Sequence, residues 1–442
     1  MPEKYQLIAE NSDSTVVSDY VSPYQRATSY QSEAELEQEL IKQLQAQAYE
    51  YLLIKSEADL IQNLRTQLEK LNDYMFTDAE WKRFFAERIA NGNEDIADKT
   101  FKIQEDSTQL LQRDNGEVIN IRLLDKTNIH KNYLQVINQY EVSGTRDNRY
   151  DVTLLVNGLP LVHIELKRRG VPLQEAFNQI NRYQRDSFWA GSGLFEYVQL
   201  FVISNGTHTK YYSNTTRWQH VNEVSKSDSR RSKKTSHSFE FTSWWADAHN
   251  RPITDLIDFT ATFLSKHTLL NVLTKYCVFT SDKLLLVMRP YQIVATERIL
   301  NRIQIATNYK KLGTTEAGGY VWHTTGSGKT LTSFKTAQLA SKLDYIDKVL
   351  FVVDRKDLDY QTMKEYDKFQ EGAANSNTST RVLTRQLGDP NAKIIITTIQ
   401  KLDTFIKRNQ GHKVFDDHMV IIFDECHRSQ FGDMHHAITK SF

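Results

Sequence analysis

A chain of 442 residues exceeds what a single hydrophobic core usually holds and reads as two domains. With 40% hydrophobic and 25% charged residues, 17 glycines and 7 prolines, it has the composition of a globular protein, which excludes extensive disorder. Its 55 basic side chains balance 55 acidic ones, so any nucleic-acid contact must come from a local surface and not from overall charge.

In chain order, the first predicted element is a helix over 32–44, where Leu36, Leu40, Ile41 and Leu44 recur at helical spacing behind the N-cap candidate Ser32. Helical patterns follow over 56–71 and 78–89. Short β-like runs occupy 118–142 and clear strands lie between 150 and 167. A helix over 173–183 and a strand over 198–203 close this part, an α/β domain with a mixed sheet. The Ser-, Lys- and Arg-rich stretch 222–237 is predicted as a surface loop, with a DNA-backbone or partner contact as the alternative. Further on, candidate strands at 320–323, 349–353, 394–397 and 419–423 alternate with helical stretches, the pattern of a doubly wound parallel sheet. The division is placed at 1–260 and 261–442. Two cysteines, Cys277 and Cys426, exclude a disulfide framework, the polar start lacks a signal-peptide core, and no run approaches the ~18 apolar residues of a membrane span. A reducing, cytoplasmic setting is expected. The run 434–442 has no closing element and reads as an interruption.

Two constellations carry chemistry. In RYDVTLLVNGLPLVHIELKRRG, residues 149–170, Asn157-Gly158 between two apolar runs signals a hairpin. Glu165 and Lys167 then share one strand face, with Asp151 opposite them. Two carboxylates in this arrangement can hold Mg²⁺, and the ammonium group can stabilise the nucleophile or the charge developing on phosphate. A solvated hairpin would also explain the pattern, but Glu165 stands between Ile164 and Leu166, a costly place for an unliganded carboxylate. Gln179 and Tyr183 follow at i, i+4 spacing and face the same way.

The second constellation is HTTGSGKTLT, residues 323–332. Thr325, Gly326, Ser327 and Gly328 can curl backbone N–H groups around phosphates at a helix N-terminus. Lys329 supplies a charge to the β/γ-phosphates and Thr330 a hydroxyl to Mg²⁺. His323 stands where such loops usually have their first glycine. Downstream, an apolar strand ends in DECH, where Asp424 is placed to bind Mg²⁺ and Glu425 to orient the attacking water.

GSGKT, FVVDRKDLDYQ (351–361), ITTIQKL (396–402) and DECHRSQFG (424–432) together resemble the motifs of superfamily 2 helicases. More narrowly, they resemble the motor (restriction) subunit of Type I restriction-modification enzymes. The D-ExK spacing and Gln179/Tyr183 resemble the PD-(D/E)xK nucleases of the RecB-like branch, with Tyr150 where a proline is frequent. By this resemblance the fold is a PD-(D/E)xK nuclease domain followed by a RecA-like motor domain, and the cofactors are ATP and Mg²⁺. It also implies that Gln292 of RPYQ reads adenine with help from Arg289, and that His427 couples nucleotide state to DNA. By the same resemblance Asp354, Arg355 and Thr397 touch the DNA track, and Glu33 or Glu37 is a candidate to assist the metal, with plain surface charge as the alternative reading of each. The implied partners are double-stranded DNA and the methyltransferase (M) and specificity (S) subunits, in a prokaryotic cell. The implied activity is ATP-driven translocation with cleavage of unmethylated DNA. Two other readings stay open: a self-contained repair helicase–nuclease, and, for the chain as given, a nucleotide- and DNA-binding module without robust turnover.

Overall fold

Local capping explains where the N-terminal helices begin. Helix α1 (Glu33–Ala46) starts at Ser32, whose side chain accepts from the Glu35 N–H while the Glu35 carboxylate accepts from the Ser32 N–H. Its apolar stripe, Leu36, Leu40, Ile41 and Leu44, is buried as the periodicity predicts. A two-residue strand, β1 (Glu50–Tyr51), which the sequence pattern does not announce, precedes α2 (Glu57–Asn72), capped by Ser56. Thr77 and Glu80 form the capping box of α3 (Asp78–Phe84), and the chain continues into a π-helical turn at Phe85–Ile89. The single helix expected over 78–89 is thus two helical forms. In a computed structural model of the chain, the described residues are 14–24, 31–143, 147–215, 237–324, 326–353, 365–369, 377, 379–424, 438 and 440–441. The 222–236 part of the basic loop lies outside them.

After α4 (Ile96–Gln104) come a separate hairpin, β2 (Thr108–Gln112) and β3 (Val118–Arg122), and then the strands of the main sheet. These are β4 (Leu134–Ser143), β5 (Asp147–Val156), β6 (Leu159–Leu166), β7 (Leu200–Ser204) and β8 (Thr209–Ser213), with α5 (Leu173–Asp186) crossing between β6 and β7. The sheet order is β1-β4-β5-β6-β7-β8. Strands β1/β4 and β6/β7 pair parallel and the others antiparallel, so the sheet is mixed as expected. The strand expected to end this region is followed by β8, which pairs antiparallel outside it. Every residue of β6 is buried, because α5 packs on β6 and β7 while β5 and β7 flank it.

The chain divides into two compact units, one of residues 1–279 with 283–291 and one of 280–282 with 292–442. The division falls later than residue 260 because the intervening elements bond to the first unit. These are the pair β9 (Trp245–Ala246) and β10 (Pro252–Ile253), α6 (Leu256–Thr262), α7 (Lys266–Thr274), and the pair β11 (Cys277–Phe279) and β12 (Leu285–Val287). The Gln43 amide donates to the Ile257 carbonyl at 2.8 Å, and the Tyr49 hydroxyl to the Leu264 carbonyl at 2.7 Å.

In the second unit, α8 (Pro290–Asn308, of which the residues from Gln292 belong here) and α9 (Lys329–Ala340) precede β13 (Lys348–Val353), α10 (Thr380–Gly388), β14 (Ile394–Thr398), α11 (Ile399–Arg408) and β15 (Met419–Phe423). The three strands are parallel in the order β14-β13-β15. Alternation along β13 supplies both faces of the sheet. Leu350 and Val352 join Leu383, Leu402 and Phe405 of α10 and α11, and Phe351 meets Tyr366, which packs on Phe334 of α9. The predicted strand over 320–323 is not formed. Tyr320 is 84% and Trp322 88% exposed, whereas a strand in a covered sheet needs a paired edge and a buried face. Among the described residues strand β15 pairs with β13, and its residues are half-buried where those of β13 are buried. No helix among the described residues is long and apolar enough to cross a membrane.

Candidate functional site

Strand register brings the first constellation together. Asn157 and Gly158 adopt φ of 52° and 83°, the paired left-handed values of a two-residue hairpin turn. Gly158 is also required sterically, since a Cβ there would lie 2.6 Å from the Leu64 Cα. The hairpin sets Val152 against Ile164 and Thr153 against His163, a register that, continued by one step, puts Asp151 opposite Glu165. Asp151 Oδ2 accepts from the Leu166 N–H at 2.8 Å. Glu165 is fully buried. Its Oε1 accepts from Lys167 Nζ at 3.2 Å, and its Oε2 has no hydrogen-bond partner among the described residues. Lys167 Nζ also donates to the Leu166 carbonyl at 3.0 Å.

Burial, and then the Glu165 charge, push the Asp151 carboxyl up to about 7. Burial likewise lifts Glu165 up to about 7, against the lowering pull of Lys167. Two acids and one ammonium group in so little water form a site short of positive charge.

The surrounding side chains are built in. The Tyr183 hydroxyl accepts from the Gln179 amide and donates to the Arg149 carbonyl at 2.9 Å, which ties α5 to the strand just before Asp151. Of the two helix acids considered, buried Glu37 accepts from the side-chain amides of Asn138 and Gln139. Gln139 has a left-handed φ of 51°, and it stands across the β4–β5 ladder from Asp151, in the one gap of that ladder. Glu33 is exposed, with Oε1 3.9 Å from Lys167 Nζ. Sequence reasoning missed His163, which is fully buried with Nε2 3.4 Å from Glu165 Oε2. Its signal was there to read: His163, Glu165 and Lys167 are alternate residues in an otherwise apolar run. A second grouping, Asp19, Asp247 and His249, differs in kind, because Arg251 pairs with both of its carboxylates.

In the second unit the nucleotide loop leads into α9, which begins at Lys329 with Gly328 as its N-cap. Gly326 and Gly328 both have φ of 79°, and a Cβ on Gly328 would meet Gln292 Nε2 at 2.3 Å. Gln292 is buried and donates to the Ser327 carbonyl at 3.1 Å. His323 Nδ1 lies 2.9 Å from Ser327 Oγ, so the residue in the unusual position buttresses the loop. Burial and the nearby Lys329 charge hold the His323 imidazole below its ordinary range. Lys329 and Thr330 are half-buried. The Asp424 N–H donates to the Val352 carbonyl at the end of β15. Tyr366 links the two motifs: its hydroxyl donates to Ser333 Oγ on α9 at 3.1 Å, and the Asp424 charge acts on it. Arg289 is exposed, belongs to the first unit and acts electrostatically on Tyr211. Thr397 is buried, its hydroxyl donating to Asn377 Oδ1 at 3.0 Å. Thr325, Asp354, Arg355, Glu425 and His427 lie outside the described residues.

Residues 30–220 match the family of the Type I restriction enzyme R protein N terminus, and residues 291–442 match the SWI2/SNF2 ATPase family. The chain is 48% identical over 306 residues to the EcoprrI Type I restriction enzyme endonuclease subunit of Escherichia coli, covering 69% of this chain and 93% of that protein. The chain belongs to the Type I restriction enzyme endonuclease-subunit family. Another member, the SsaAORF53P endonuclease subunit of Staphylococcus saprophyticus, is 41% identical over 421 residues, 93% of this chain and 42% of its own. A third, from Mycoplasma pneumoniae and named as the C-terminal part of the MpnIIP endonuclease subunit, is 50% identical over 206 residues, 45% of this chain and 99% of its own. The chain thus spans less than half the length of the staphylococcal family member. Asp151, Glu165, Lys167, Gln179 and Tyr183 fall within the first match, Gln292, the nucleotide loop and Asp424 within the second, and Arg289 in neither.

Proposed function

We propose that the chain forms the nuclease and first motor parts of a Type I restriction subunit. In this reading the first unit is a PD-(D/E)xK-type endonuclease domain and the second a RecA-like ATPase domain. The observation that carries it is the fully buried Glu165, with one oxygen lacking a partner, beside Asp151 and Lys167. That donor set fits a hard divalent cation, since oxygen ligands suit Mg²⁺ and the site lacks positive charge. Asp151 and Glu165 would hold the ion. When bound, it polarises the scissile phosphodiester and lowers the pKa of a water nucleophile. Lys167 places its ammonium group beside Glu165, where it neutralises charge developing on the phosphate. Tyr183, through Arg149, keeps the Asp151 strand in place, and Gln179 holds the Tyr183 hydroxyl.

In the motor, the N–H groups of 325–328 and α9 receive the phosphates of ATP, Lys329 pairs with them, and Thr330 and Asp424 serve Mg²⁺. Glu425 orients the attacking water, Gln292 serves the adenine, and His427 relays the nucleotide state. The complete protein acts on double-stranded DNA in the prokaryotic cytoplasm with M and S subunits, and cleaves unmethylated foreign DNA.

The test is ATP-dependent cleavage of unmethylated and methylated circular DNA by the full-length protein, with and without M and S, using Lys329→Ala and Lys167→Ala as controls. Cleavage confined to unmethylated DNA with the partners present supports the reading. Methylation-blind cleavage without partners overturns it.

A further inference from the structure

His163 is the polar residue of β6 that the proposed chemistry leaves without a part. It lies two positions before Glu165 and so on the same strand face. Its ring is fully buried and is met edge-on by Tyr150, Tyr183, Phe188 and Phe201, with centroids 5.5, 6.0, 5.9 and 6.3 Å away. Nδ1 is 3.1 Å from the hydroxyl of Thr153, its cross-strand partner on β5. Nε2 is 3.4 Å from Glu165 Oε2, and among the described residues neither atom has a hydrogen-bond partner.

A polar group is costly inside an aromatic cage unless its polar atoms are used. The two ring nitrogens meet different groups: Nδ1 faces the Thr153 hydroxyl, and Nε2 faces the Glu165 oxygen that has no hydrogen-bond partner among the described residues. A contact of 3.4 Å is long for a hydrogen bond, but such bonds in ligand-free sites often tighten only when the site is filled.

We propose that His163 is a positioning residue whose Nε2 engages Glu165 Oε2 and fixes the rotation of that carboxylate for cation binding. The inference rests on the reading of Glu165 as a metal ligand. Partners of this kind around a ligand typically change metal affinity by about 10–100-fold when removed.

Mn²⁺ binding to the 442-residue chain without nucleotide, followed by electron paramagnetic resonance of the free ion beside thermal melting, tests it. His163→Phe keeps a ring in the cage and removes both nitrogens. His163→Asn keeps a partner for Thr153 but is too short for Oε2, and His163→Gln places an amide N–H near the Nε2 position. The Phe and Asn variants are expected to bind Mn²⁺ about tenfold more weakly, and Gln to recover most of the loss. If the Phe variant does not melt cooperatively, the Asn and Gln pair decides, and equal affinities for those two overturn the proposal. Folded Phe and Asn variants with wild-type affinity also overturn it and leave His163 a core residue. Glu165→Ala separates the two levels. Unchanged Mn²⁺ binding there removes the metal reading itself, whereas a loss there with wild-type binding by His163→Phe removes only the role of His163.

Discussion

The two units present their chemistry by opposite means. In the first, Asp151, Glu165 and Lys167 are side chains set by β-sheet register, and Glu165 sits at zero exposure among side chains already committed to one another. In the second, the loop before α9 presents backbone N–H groups from two glycines at φ 79°, with Lys329 and Thr330 half-buried. A site made of register tolerates little change in side chain, and its backbone demand falls on the turn at Asn157-Gly158 that sets the register. A site made of backbone makes its demand at the glycines of the loop itself.

The largest effect should separate the units completely. Asp151→Ala, Glu165→Ala or Lys167→Ala should each reduce DNA cleavage by the complete enzyme by at least about 10²–10³-fold and leave DNA-stimulated ATPase intact. Wild-type cleavage by any one of them would remove that residue from the site. Next comes the backbone side. Gly328→Ala meets both a left-handed φ and the Gln292 amide, so it should abolish binding of a fluorescent ATP analogue. Gly326→Ala has the same φ but open space around the new Cβ, so it should cost only about 1–2 kcal/mol of strain and weaken binding mildly. Equal losses would mean that backbone conformation alone, and not the Gln292 contact, sets the loop.

A smaller effect concerns stability against pH. Folding raises both the Asp151 and the Glu165 carboxyls to about 7 from about 4 in the unfolded chain. The folded state therefore binds more protons between those values. The stability gained by that uptake is full below about pH 4 and is lost as pH rises through about 7. In metal-free buffer at pH 8, Asp151→Asn and Glu165→Gln should therefore melt above the wild type, and the gap should close towards pH 4. Mg²⁺ should raise the wild-type melting temperature at pH 8 more than that of either variant. A gap that does not change with pH would locate the effect in packing and not in charge.

Much of this contrast was legible in the sequence because it rests on local signals. The Ser32 cap, the Asn157-Gly158 turn and the β-branched run of β14 specify their elements from a few neighbouring residues. The apolar run around Glu165 even announced a carboxylate in need of a partner. What escaped was non-local. Strand β1 is two residues long and exists through its pairing with β4, and β8 needs β7 beside it. Glu37 is occupied by amides about a hundred positions away, and Gln139, which supplies one of them, has a left-handed conformation that no pattern signals. The run 320–323 has strand composition yet lies exposed, since composition does not supply a paired edge.

The smallest effect asks whether the register-built site depends on a helix end. Ser32→Ala removes the N-cap of α1 and should cost about 1 kcal/mol, read as a lower melting temperature. The first turn carries exposed Glu33, 3.9 Å from Lys167, while Glu37 lies one turn further on and is held by Asn138 and Gln139. Fraying the cap therefore loosens Glu33 and leaves Glu37 in place. If the site is register-built, cleavage by Ser32→Ala should stay within about twofold of wild type, because a weak exposed pair such as Glu33–Lys167 contributes little. A larger loss, reproduced by Glu33→Gln at unchanged melting temperature, would show that α1 supplies a working acid and that register alone does not build the site.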